Sequence, residues 1–165
     1  MALASCSPPP PPKRPMPVAP QPRPDPRPAP RPLPAPQPQI NWRDAPLTPG
    51  TWRWAMEGNR SVARFADSQL ALVCDRAAGT VTLLRQGSGA DHVPVTVLTG
   101  TQVRPISGTP LAGEPPCVGA VLNPRDNLLD AMALSRGRFS VEVAGLPTLY
   151  VPSWSEVTRV VEDCR

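Results

Sequence analysis

The chain has 165 residues, 27 of them proline, and a formal net charge of +4. Seventeen prolines lie between Pro8 and Pro38 and all seven aromatic residues follow them, so a core can form only beyond that segment. Lys13, Arg14, Arg23, Arg27 and Arg31 against Asp25 place the whole charge in the leading part; the remainder sums to zero and holds no lysine, which argues against a basic nucleic-acid face and excludes a P-loop or a Schiff-base lysine.

In chain order the first feature is Leu3-Ala4-Ser5-Cys6, which resembles the lipobox of bacterial lipoproteins. Small residues there admit a signal peptidase to the backbone, and the Cys thiol takes a diacylglyceryl group before cleavage makes it the N-terminus. The resemblance implies lipid attachment at Cys6 and a membrane-anchored lipoprotein of the bacterial envelope, facing the periplasm. A secretory signal needs an apolar run ahead of such a box. Residues 1–6 are therefore expected to be the end of a longer signal, with the true start upstream. The alternative is a chance match in a cytoplasmic protein.

Residues 7–39 alternate proline with other residues (PQPRPDPRPAPRPLPAPQPQ) and predict a disordered, polyproline II-rich linker. At about 3.1 Å per residue such a spacer reaches on the order of 90–100 Å. Its positive charge suits anionic lipid headgroups or cell-wall polymers. The competing reading is a recognition tract, because PKRP and PVAP carry the PxxP spacing read by aromatic grooves.

Residues 40–165 form the predicted globular domain. TWRWAME sets Trp52, Trp54 and Met56 on one strand face, and Gly58-Asn59 turns the chain into RSVARFA. QLALVCD and TVTLLR flank Ala78-Gly79 as a second hairpin. VPVTVLT, CVGAVL, RFSVEVA and TLYV follow as apolar runs, with the Gly- and Pro-rich stretches GSGAD and ISGTPLAGEPP read as gaps. Two helices are expected. Asp126 caps NLLDAMALSR, with Leu128, Leu129 and Met132 on one stripe and Gly137 as the stop. Ser153-Trp154-Ser155-Glu156 matches a capping box, and Val157, Val160, Val161 and Cys164 behind it share one face. The fold class is mainly β: an antiparallel β-sandwich or barrel with two short helices.

Chemically active constellations are few. Cys74, Cys117 and Cys164 have no CxxC spacing and only His92 beside them, so no metal site is expected. Cys74 and Cys164 both face the core in this reading, and a Cys74–Cys164 disulfide would tie the last helix to the sheet. Cys74–Cys117, Cys117–Cys164 or three buried thiols are the alternatives. Ser88, Asp91 and His92 are adjacent in sequence, whereas triad members converge from separate elements. Asp126 and Asp130 stand at i, i+4, but a cap and a surface acid account for them. No catalytic residue and no cofactor is assigned. Trp52 and Trp54 read as core or as a stacking surface; Trp42, at the junction with the linker, reads as a lid over one end of the core or as part of that surface.

Gly50-Thr51-Trp52, CVGAVL, NLLDAMALSRG, RFSVEV and TLYVPSWSEVTRVVEDC occur in an order similar to that of the invasion-associated locus B family of envelope proteins. That resemblance implies a secreted β-sandwich with a binding or structural role and no catalytic residues. The expected function is a lipid-anchored envelope protein with a binding or scaffolding β-domain. A soluble hydrolase-like enzyme, or a cytoplasmic protein recruiting partners through PxxP, are the competing readings.

Overall fold

Period-two alternation passes directly into backbone pairing. The structure, a computed structural model, describes residues 41–89 and 91–165. The lipobox with Cys6 and the Pro-rich residues 7–39 lie outside the described residues. Nine strands and two helices follow in the order β1 (Trp52–Glu57), β2 (Arg60–Phe65), β3 (Leu70–Asp75), β4 (Thr80–Gln86), β5 (Val93–Leu98), β6 (Val103–Leu111), β7 (Cys117–Leu122), α1 (Asn127–Ala133), β8 (Arg138–Val143), β9 (Leu149–Pro152) and α2 (Ser155–Asp163). All pairings are antiparallel, in one sheet ordered β1-β2-β3-β4-β7-β6-β5-β8-β9. The expected mainly β architecture with two short helices is present.

The sheet rolls, and alternate residues fill its inside. Leu70, Leu72 and Cys74 of β3, Val81 and Leu83 of β4, Val93, Val95 and Val97 of β5, and Phe139, Val141 and Val143 of β8 are all buried. Leu128, Leu129 and Met132 of α1 and Val157, Val160 and Val161 of α2 complete the same core. Arg85 continues the inward row of β4 and is 6% exposed. It donates to the carbonyls of Gln69, Gln86 and Pro147, with no carboxylate bound to it among the described residues. Burial pushes its pKa down from the ordinary arginine value.

One stretch read as a gap is a strand. Val103–Leu111 contains Pro105, Gly108 and Pro110, yet it is the longest strand described. Its first part, Val103–Gly108, pairs with β5, and its last part, Thr109–Leu111, pairs with β7. Each half therefore keeps one unpaired side, and proline is tolerated where its missing N–H faces such a side. Gly108 sits at the changeover, where a Cβ would come within 2.7 Å of both Val118 Cγ1 and Val95 Cγ2.

The helix ends depart from expectation once. Asp126 caps α1 as predicted, accepting from Leu128 N at 2.9 Å. Ser153 does not cap α2. Its hydroxyl donates to the carbonyls of Met132 (2.5 Å) and Ala133 (3.0 Å), and Trp154, the N-cap residue ahead of α2, makes no side-chain cap. The last carbonyls of a helix lack the regular partner of its interior, and the Ser153 hydroxyl, shared between two of them, supplements the backbone N–H groups there. No helix among the described residues is long and apolar enough to cross a membrane.

Candidate functional site

The two terminal strands of the sheet expose different edges. On β9, Thr48 N donates to the Tyr150 carbonyl and Thr48 Oγ1 accepts from Tyr150 N, both at 2.9 Å. The segment ahead of β1 thereby stands in for a missing neighbour. Arg138 reinforces this by donating to the Ala45 carbonyl, and Ala45 is buried. On β1, Ala66 N donates to Thr51 O, so Thr51 faces β2. Alternation then turns the N–H and C=O of Arg53, Ala55 and Glu57 toward β2 and those of Trp52, Trp54 and Met56 outward. Among the described residues, none of these outward groups makes a backbone hydrogen bond.

Helix α2 forms a wall beside that edge. Between them lies an open groove of about 770 Å³, with Trp52, Arg53 and Trp54 on the strand side and Ser155, Thr158 and Arg159 on the helix side. Its charges are mixed, with Arg53 and Arg159 alongside Glu156 and Glu162. The helix is there because its apolar stripe, Val157, Val160 and Val161, packs on α1 and on the β1–β3 end of the sheet.

A ring of four side chains fixes the groove wall. Trp54 Nε1 donates to Ser61 Oγ (2.8 Å), and Ser61 Oγ donates to Asp163 Oδ2 (2.6 Å). Asp163 accepts from Arg159 Nε at 3.1 and 3.2 Å, and the Arg159 guanidinium lies 4.7 Å over the Trp54 ring. Arg76 adds a second cation, its Nη2 3.4 Å from Asp163 Oδ1. Burial pushes the Asp163 carboxyl up, but the Ser61 hydroxyl and the two guanidinium groups outweigh it and hold its pKa below the ordinary aspartate value. The next residue, Cys164, has its Sγ 2.17 Å from Cys74 Sγ on β3, at disulfide distance. Cys117 is half-buried and has no disulfide partner among the described residues.

The three tryptophans proposed as one surface separate. Trp52 is buried and stacks at 5.3 Å on Phe65, its Nε1 donating to the Pro152 carbonyl at 2.8 Å. Trp54, one step along the same face, is half-buried and lines the groove. Met56, the third residue of that face, is 41% exposed. Trp42 lies elsewhere and outside the core, in a concavity with Thr101, Leu134 and Arg136. Among the described residues it is not one of the apolar side chains packed against the core, so it does not act as the expected lid.

The remaining candidates are dispersed. His92 sits exposed in a turn ahead of β5. Asp126 is held by Arg104 and Asp130 by Arg165, so each carboxylate has its own guanidinium. Among the described residues no group of three His, Cys, Asp or Glu side chains is placed to hold a metal ion. Arg53, Thr158 and Arg159 were not singled out from sequence; the Arg159–Asp163 pair at i, i+4 was its one legible trace. Compared with family models, curated proteins and solved structures, the chain matches none.

Proposed function

We propose that this chain is a lipoprotein of the bacterial cell envelope, attached through Cys6, whose Pro-rich residues 7–39 hold a non-catalytic binding domain away from the membrane. The observation that carries the binding role is the open edge of β1 facing the wall of α2. Unpaired strand groups next to a half-buried indole are what a surface needs to capture another chain or an envelope component. The compartment is supported separately by the close approach of Cys74 and Cys164, since disulfides persist in oxidising compartments. The dispersed placement of His92, Asp126 and Asp130 favours binding over catalysis.

The test has two arms in cells expressing the gene with its native upstream sequence. Cys6→Ala is expected to release the protein from the membrane fraction; retention would remove the anchor from the proposal. A photo-crosslinking residue at Thr158 is expected to yield an adduct in envelopes that is lost with Trp54→Ala. No adduct at Thr158 would remove the groove.

A further inference from the structure

Three observations at β1 have no explanation within one copy of the domain. Among the described residues, the N–H and C=O of Trp54 and Met56 point outward unpaired. The Met56 side chain is 41% exposed at the end of an otherwise apolar row. Arg53, alone among the charged residues of the β1–β2 hairpin, has no ion-pair partner among the described residues: Glu57 is held by Arg64 and Arg60 by Asp75.

We infer that the occupant of this edge is a second copy of the same chain, paired β1 to β1 across a two-fold axis through Ala55. Only outward-facing residues can pair with outward-facing residues, so the registers available are few. The register centred on Ala55 sets Trp54 opposite Met56 of the other copy, twice, with about four main-chain hydrogen bonds. The same register sets Arg53 directly across from the other copy's Glu57, again twice. Met56 then meets the indole of Trp54, a sulfur–aromatic contact that removes both from water. Moving the axis to Trp54 places Arg53 across from Ala55 and loses both ion pairs.

The groove wall argues for the same partner. An isologous contact must be complementary to itself. Arg53 and Arg159 against Glu156 and Glu162 sum to zero with both signs side by side. A patch committed to a basic or acidic ligand would carry one sign. This inference rests on the groove being an interaction surface, and the tether helps it. Copies anchored in one membrane plane meet at an effective concentration above that in solution, which adds to the pairing the edge makes by itself.

The test is sedimentation of the full chain over a concentration series, with circular dichroism to confirm folding. The wild type is expected to rise from one to two copies in mass. Arg53→Glu and Glu57→Arg each place like charges across the axis and should stay monomeric. Mixed one to one they place opposite charges at both positions, and the dimer should return. Met56→Pro removes an outward donor without touching the β1–β2 ladder, and should also be monomeric with an unchanged spectrum. A wild type that remains monomeric, a dimer that survives Arg53→Glu and Met56→Pro, or a mixture that fails to reassociate would each overturn the inference. A monomeric wild type whose Thr158 crosslinks another envelope molecule would leave the binding proposal standing and remove only the second copy.

Discussion

Strands β1 and β9 end the same sheet, yet one edge is closed and the other open. β9 is closed by a single threonine: the Thr48 backbone and hydroxyl take both groups of Tyr150. β1 runs out from Trp52, anchored on Pro152, to an unpaired half in which Trp54 and Met56 keep their backbone groups turned outward. Exposed edges invite pairing with other chains, and proteins ordinarily cover or blunt them. Here the covering is spent on β9. Among the described residues, the edge left open is the one beside α2, where the helix wall and the held indole of Trp54 line a groove.

The comparison breaks most completely if the wall is released. Cys164→Ser should cost about 2–5 kcal/mol in urea unfolding, because the link to Cys74 closes a loop with a sequence separation of 90. Gly50→Ala attacks the entry to β1. At φ +146° a new Cβ would stand 2.5 Å from Ala66 Cβ, and about 2 kcal/mol of destabilisation is expected by the same assay. Thr48→Val reopens β9 by removing one acceptor, at about 1 kcal/mol. Its amide hydrogen exchange sharpens the contrast. At dilutions where the chain is a single copy, Tyr150 should become fast, joining Trp54 and Met56, while Arg53 and Ala55 stay protected.

The smaller effects lie on the ring that holds the groove. Arg159→Ala should cost about 0.5–1 kcal/mol while altering tryptophan fluorescence, since it uncovers one face of Trp54. Acid should act through Asp163 and Asp126, the latter held low chiefly by its hydrogen bond from Arg104. A carboxyl whose folded pKa is depressed contributes stability above its unfolded value and loses it as pH falls through the folded one. Stability should therefore be flat near neutrality and decline below about pH 4. Asp163→Asn should shallow that decline, because this carboxylate is only 12% exposed and is held by the Ser61 hydroxyl and the Arg159 guanidinium.

Local chemistry made much of this legible in advance. Gly58-Asn59 and Ala78-Gly79 mark the hairpins, Asp126 marks the start of α1, and the apolar face of α2 carries Cys164 toward β3. Each rests on neighbours within a few residues. Ser153 shows the limit, because its spacing to Glu156 fits a cap while its hydroxyl serves carbonyls of α1 some twenty residues earlier. Val103–Leu111 shows it again: prolines that argue against a strand are accepted where the pairing changes sides.

Residue pattern alone was enough to read a β protein with two helices, the places where its first hairpins turn and most of the residues that face inward. The reason is that side chains alternate with a period of two and report their face directly. Three-dimensional packing sets which strand keeps an open edge, that Trp52 is buried while Trp54 is half-buried, and that Arg53 has no ion-pair partner among the described residues. Edge hydrogen bonds lie in the plane of the sheet, perpendicular to the side chains, so their fate leaves no pattern in the residues that make them. It depends on what distant segment arrives alongside: Thr48 at β9, and no described segment of the same copy at β1.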